Sequence, residues 1–149
     1  MNEHGTHSEQ EIALALVKVP LLRNLTSQQL KTLAQVVVER EFPAGAKIVE
    51  QGAEGTGLFI IASGHANAVI QQPDGSLVTV NSFGPTDFFG EMALLDEGPR
   101  TATVITSEPT RCLVIASWDF FRLMKADSEM AVNILVEMSR RFRMALKAE

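Results

Sequence analysis

The spacing of apolar positions changes twice along the 149-residue chain. In "EIALALVKVPLLRNLTSQQLKTLAQVV" leucines and valines recur at helical spacing, in two pieces broken at Pro20. Thr26 or Ser27 is a candidate N-cap for the second piece, which places Leu30, Leu33, Ala34 and Val37 on one face. From about Val36 the period shortens. "VVVEREF", "AKIVEQG", "GLFIIASG", "HANAVIQ", "SLVTVNSF", "TATVITS" and "RCLVIAS" are short β-rich runs, punctuated by Gly45, Gly52, Gly64, Gly75 and Gly84.

Helical spacing returns at Ser117, an expected cap for "SWDFFRLMKA", and again at Asp127 or Ser128, which open the final helix. On that helix Ala131, Ile134, Leu135, Met138, Phe142 and Ala145 form one stripe. Asn133, Arg140, Arg143 and Lys147 lie roughly opposite, and Arg141 falls on the border. Val132, Val136 and Met144 fall outside the stripe and are expected to stay partly exposed. The order predicts a mainly β sandwich or barrel flanked by α-helices. Residues 1–11 read as a flexible tail and 12–149 as one domain, with helices over 12–35, β-structure over 36–116 and helices over 117–149. No repeat or second-domain boundary interrupts it.

A hydrophobic fraction of 46% with 21% charged residues suits one sizeable core. The net charge of -5 argues against nucleic acid or an anionic membrane as partner, because both need a basic surface. The polar, acidic N-terminus lacks the features of a signal peptide, and no apolar run reaches the ~20 residues needed to span a bilayer. A soluble cytoplasmic protein is the simplest expectation. The single cysteine, Cys112, sits in "RCLVIA" and reads as a buried small hydrophobe.

Candidate chemistry is concentrated in "FFGEMALLDEGPRTATV", residues 88–104. Gly90 can turn without a Cβ clash, and Glu91 to Leu95 suit one helical turn whose free N–H groups form an anion site. Arg100 supplies a strong cation whose planar fork matches two phosphate oxygens. Glu91, repelled by a phosphate, is suited to accept a hydrogen bond from a sugar hydroxyl instead. One phosphate beside one ribose hydroxyl describes a nucleotide monophosphate. The plainer alternative is an Arg100 paired with Asp96 or Glu97 across a turn and a solvated Glu91.

This stretch resembles the phosphate-binding cassette of cyclic nucleotide-binding domains, and the likeness extends over the leading helices, "GLFIIASGHANAVI" and the two closing helices. The resemblance implies a double-stranded β-helix (jelly-roll) barrel with N-terminal helices and two C-terminal lid helices. It implies that Gly90, Glu91, Met92 and Ala93 supply the helix-start amides and the ribose contact, and that Arg100 holds the cyclic phosphate. Thr101 and Ala102 would complete the donors, Val80 would touch the base, and Arg141 would be the polar contact of the lid. The ligand implied is cyclic AMP or cyclic GMP, cyclic AMP slightly favoured, with no cofactor, no metal and no catalytic residue. Two departures from the family stand out. Thr86-Asp87 replaces a common Gly-Asp before "FFGE", which predicts a strained or different turn, and Ala145-Leu146 stand where catabolite activators carry hydroxyl residues.

The function expected is a non-enzymatic sensor in which ligand closes the final helix to signal to a protein partner or effector. A homodimer through that helix is a further expectation. Two other classes compete: a ligand-free interaction module on the same fold, against which an intact Glu91 and Arg100 argue, and a cupin-type metal enzyme. His4 and His7 lie in the tail and His65 stands alone, so no His-His-carboxylate triad forms. With no room for a helix-turn-helix after Lys147, DNA binding is not expected. The domain acts on a separate partner or belongs to a larger chain.

Overall fold

A computed structural model describes residues 7–53, 57–90 and 101–147. Ser8 caps helix α1 (Glu9–Leu16): its Oγ accepts from the Glu11 N–H while the Glu11 carboxylate accepts from the Ser8 N–H. This reciprocal pair satisfies two amides that a helix start leaves free, and it begins the helix inside the stretch expected to be a tail. Just ahead of it, the His7 backbone N–H donates to Glu39 at 2.7 Å. Pro20 opens a 3-10 turn, η1 (Pro20–Leu22), because the first helical position needs no N–H. Thr26 then caps α2 (Ser27–Ala34) with a second reciprocal pair to Gln29.

The β-layer consists of two four-stranded antiparallel sheets. One runs in the order β1 (Val38–Phe42), β8 (Thr110–Ala116), β3 (Gly57–Ser63), β6 (Phe88–Phe89). The other runs β2 (Lys47–Val49), β7 (Thr103–Thr106), β4 (Ala66–Gln71), β5 (Leu77–Phe83). Each strand run anticipated from the sequence appears, and the two-residue β6 is an addition that no periodicity announces. Gly57 is required by close approach: a Cβ there would stand 2.7 Å from the Ile115 carbonyl oxygen on the neighbouring strand.

Two apolar cores explain the sequence pattern. Leu58 and Ile60 of β3, Leu113 and Ile115 of β8, and Phe88 of β6 pack outward against the helices, joining Leu16, Leu22, Leu33, Phe120 and Ile134. Their neighbours Phe59, Ile61, Cys112 and Phe89 point the other way, into the roll, where they meet Ala66, Ala68 and Val104. Strands buried on both faces read as continuous apolar runs, as "LFII" and "CLVI" do.

Helix α3 (Ser117–Ala126) corrects the expected cap. Its N-cap is Ala116, which has no side chain to offer, and the buried Ser117 Oγ finds no partner. Helix α4 (Ser128–Lys147) starts at Asp127, whose Oδ1 accepts from the Met130 N–H at 3.0 Å. The inward face of α4 is Met130, Ile134 and Glu137, with Met138 packed beside them. The expected stripe is therefore rotated: Leu135 and Phe142 face outward, 59% and 69% exposed. Val132, Val136 and Met144 are exposed as expected.

Candidate functional site

The stretch expected to carry the site begins at the inner face of the roll, where β6 ends. Phe89 stacks on Phe59 with centroids 5.3 Å apart and planes within 3°, and lies 5.1 Å from the Phe83 ring in a tilted pair. These rings fix the end of β6, and the next residue, Gly90, turns the chain with φ 88. A left-handed conformation of this kind is open to glycine and costly for other residues, in keeping with the turn expected there. Eleven residues after Gly90 the described chain resumes with Thr101, exposed, and Ala102, which packs against the same inner cluster. The cassette thus leaves and re-enters at one apolar wall. Glu91, Met92, Ala93 and Arg100 lie outside the described residues.

The approach to β6 contains the departure noted in the sequence. Gly84, Pro85, Thr86 and Asp87 form a turn in which the Asp87 N–H donates to the Gly84 carbonyl at 3.0 Å, with Pro85 second and Thr86 third at φ 74. This is a type II turn, whose third position favours glycine. Thr86 is the one non-glycine residue with positive φ among the described residues, and a β-branched side chain makes that conformation strained. Surrounding bonds enforce it: Thr86 N–H to Ile61 O, Ile61 N–H to Asp87 O, and Gly84 N–H to the Asp87 carboxylate, each at 2.9 Å.

Val80 is positioned by an irregularity. The β4–β5 register pairs Ala68 with Asn81 and Val69 with Thr79, so Val80 is an extra residue on β5. Such a bulge sets two residues opposite one; Val80 and Asn81 both stand across from Ala68, a member of the inner cluster. Ala68 also pairs with Val104 of β7. Val80 is about half exposed. Strand alternation alone does not reveal that Asn81 shares this position.

Arg141 sits elsewhere than over the inner wall. Its guanidinium carbon lies 4.3 Å from the centroid of Phe88, on the helix-facing side of β6. Sequence reasoning missed Phe88 as the partner; its only signal is the "FF" doublet that places one ring on each side of the strand. At the inner wall Cys112 is fully buried, and burial pushes its thiol up to about 11, partly countered by the charge of Arg40. Among the described residues no group of three His, Cys, Asp or Glu is placed to hold a metal ion. No described helix is long and apolar enough to cross a membrane.

The family model for the cyclic nucleotide-binding domain matches residues 39–127, which spans the roll, the cassette and α3. The chain belongs to the cyclic nucleotide-binding domain family. It is 35% identical over 109 residues to a cAMP-dependent protein kinase regulatory subunit from Aspergillus fumigatus, covering 73% of this chain and 26% of that protein. It is 32% identical over 126 residues to the cyclic AMP receptor protein of Thermus thermophilus, covering 85% and 58% respectively. The chain therefore spans about a quarter and somewhat over half of these two relatives.

Solved structures agree on the domain. The N-terminal domain of a transcriptional regulator from Streptomyces coelicolor superposes with a TM-score of 0.80 at 27% identity, over 90% of this chain and 94% of that one. The catabolite activator protein of Thermus thermophilus gives 0.76 at 32%, over 85% and 59%. The regulatory domain of Toxoplasma gondii PKA, solved with cAMP, gives 0.77 at 27%, over 89% and 50%. The β-roll with flanking helices is thus the fold of this cyclic nucleotide-binding domain. The relatives bear the names of regulators and receptors, and none of these is named as an enzyme.

Proposed function

We propose that this cyclic nucleotide-binding domain is a non-enzymatic cytoplasmic sensor that takes cyclic AMP in preference to cyclic GMP and signals to a protein effector. The observation that carries the reading is the cassette's geometry: Gly90 turns out of the inner wall at φ 88, and Ala102 returns to it. Two relatives named for cyclic AMP and one structure solved with it support the choice of purine. In this reading the amides of Gly90, Met92 and Ala93 face the cyclic phosphate at a helix start. Arg100 neutralises it, Thr101 and Ala102 add donors, Glu91 accepts the ribose 2′-hydroxyl, and Val80 covers the base from the bulge.

Signalling in this reading is closure of α4. A ligand shifts such an equilibrium only through contacts that differ between the two positions. Arg141, stacked on Phe88 in the present structure, is the group that would trade that ring for the ligand.

Calorimetric titration with cyclic AMP, cyclic GMP and 5′-AMP tests the reading. Arg100→Ala should weaken the cyclic nucleotide about thirtyfold or more, since a desolvated phosphate loses its cation. The 2′-deoxy analogue should lose ~1–3 kcal/mol with the native chain and little with Glu91→Gln. Native-like affinity in Arg100→Ala would remove the site.

A second reading concerns assembly. Val132, Leu135, Phe142 and Leu146 are all more than half exposed and repeat along one side of α4. The spacing suits the seam of a helix pair, so a homodimer through α4 is the arrangement this face favours.

A further inference from the structure

The outer side of α3 departs from an ordinary solvated helix face. Phe120 and Leu123 turn into the core, and on the other side Trp118, Phe121, Arg122 and Lys125 recur at spacings that share a face. With Ser117 they line a cleft of about 510 Å³. Trp118 is the only tryptophan of the chain and stays 69% exposed. Each ring has a cation one helical turn beyond it, Arg122 after Trp118 and Lys125 after Phe121. Tryptophan and arginine side by side are the residues on which protein interfaces most often depend.

Both cations can take a further partner. Arg122 Nη2 lies 3.0 Å from Asp119 Oδ1, but its side chain remains 61% exposed, which leaves other N–H groups of the fork open to a second carboxylate. Lys125 is exposed and makes no ion pair among the described residues. At the other end of the cleft the Ser117 Oγ is buried without a hydrogen-bond partner. Ala116, the N-cap before it, offers no side-chain acceptor to the first-turn amides. Buried hydroxyls are seldom left in this state, and an acceptor entering the cleft supplies what Ser117 lacks.

From Trp118 to Lys125 the helix rises about 10 Å, the length of roughly three extended residues. Rings and cations paired over that span fit an apolar side chain flanked by carboxylates. A long polyanion such as nucleic acid would also meet the rest of a chain of net charge -5, whereas a short acidic segment meets this face alone, the remaining charge being screened beyond ~8 Å. We propose that the α3 cleft is a docking site for an acidic protein segment anchored by an apolar side chain. Trp118 and Phe121 hold the anchor, Arg122 and Lys125 pair with its carboxylates, and the Ser117 hydroxyl donates to it. None of the five residues belongs to the inner cluster, and the docking site stands whether or not a cyclic nucleotide binds.

The test uses Trp118 as its own reporter, in the full chain without cyclic nucleotide. The probe is the acetylated and amidated peptide Glu-Asp-Phe-Leu-Asp-Glu, with Lys-Lys-Phe-Leu-Lys-Lys as its counterpart. The acidic peptide should shift tryptophan emission to the blue, saturably, with a midpoint below about 1 mM that rises with salt. Lys125→Glu should weaken it about tenfold, and the double variant Arg122→Glu with Lys125→Glu should bind the basic peptide instead. Ser117→Ala should weaken the acidic peptide several-fold without lowering the urea midpoint, because the hydroxyl bonds to nothing in the free protein. Absence of a shift up to several millimolar peptide, equal response to both peptides, or an acidic peptide that binds the double variant as it binds the native chain would each overturn the proposal. So would a blue shift that grows with protein concentration when no peptide is present, which would assign the cleft to a second copy of the chain.

Discussion

The guanidinium of Arg141 lies 4.3 Å above the ring of Phe88, joining α4 to the strand that leads into Gly90. A cation over an aromatic face is worth ~0.5–2 kcal/mol according to its exposure. Arg141→Ala should lower unfolding stability by about that amount in urea titrations, and Arg141→Lys should lose part of it because the planar stack goes. In a Phe88→Leu background the arginine substitution should cost markedly less. Additive losses would show that the stack contributes nothing.

Thr86 occupies the third position of a type II turn at φ 74. Replacing it by glycine removes strain of ~1–2 kcal/mol but adds freedom to the unfolded chain. The net expectation is a gain of about 0.5–1 kcal/mol, seen as a higher urea midpoint with an unchanged slope. A lower midpoint would mean that the threonine side chain holds something the backbone does not reveal. Thr86→Ala should gain less than glycine, since its Cβ remains.

How far these features are legible in the sequence depends on what decides them. The strands β3 and β8 are plain because burial on both faces leaves an uninterrupted apolar run, and the glycines mark where chains turn. Thr86 announced itself because a turn of fixed geometry tolerates few residues. The orientation of α4 is illegible from apolar spacing: its inward face includes the carboxylate of Glu137, held by Arg23 and Asn24, and a periodicity rule scores that position as polar and outward. Phe142 consequently looked like core and is exposed. The bulge at Val80 is hidden for a similar reason, since it arises from the pairing of two strands and from nothing local to either. Ser117 looked like a cap because the residue type fits, but the helix starts one residue earlier than a Ser117 cap requires.

Glu39 provides a pH dependence. Burial pushes its carboxyl up, but hydrogen bonds from the His7 backbone N–H, the His7 ring and Arg111 outweigh it, so the net shift is below the ordinary 4.5. A depressed carboxylate contributes stability above its unfolded value, and that contribution is lost as pH falls through the folded value. Stability should therefore decline as pH drops from about 4.5 downward. Glu39→Gln should be less stable at neutral pH and show a shallower acid limb. An acid limb equally steep in Glu39→Gln would assign the loss to other groups.

The exposed apolar side of α4 predicts a change of assembly on charging it. Leu135→Glu and Phe142→Glu, both at exposed positions, should leave the fold intact by circular dichroism and yield monomers in sedimentation where the native chain sediments as a dimer. A native chain that is monomeric across the accessible concentration range would dismiss the homodimer.

The bulge at Val80 has a second consequence, for solubility. Strand β5 lies at the edge of its sheet, and "LVTVNSF" contains neither charge nor proline, while Leu77, Val78 and Val80 are exposed. A straight strand of that composition would offer a template for another copy's strand to pair with, the usual beginning of edge-to-edge aggregation. The extra residue bends and twists the edge part-way along its length, so a second strand cannot stay in register across it. The same irregularity that places Val80 opposite Ala68 thus keeps an uncharged sheet margin from recruiting its own kind.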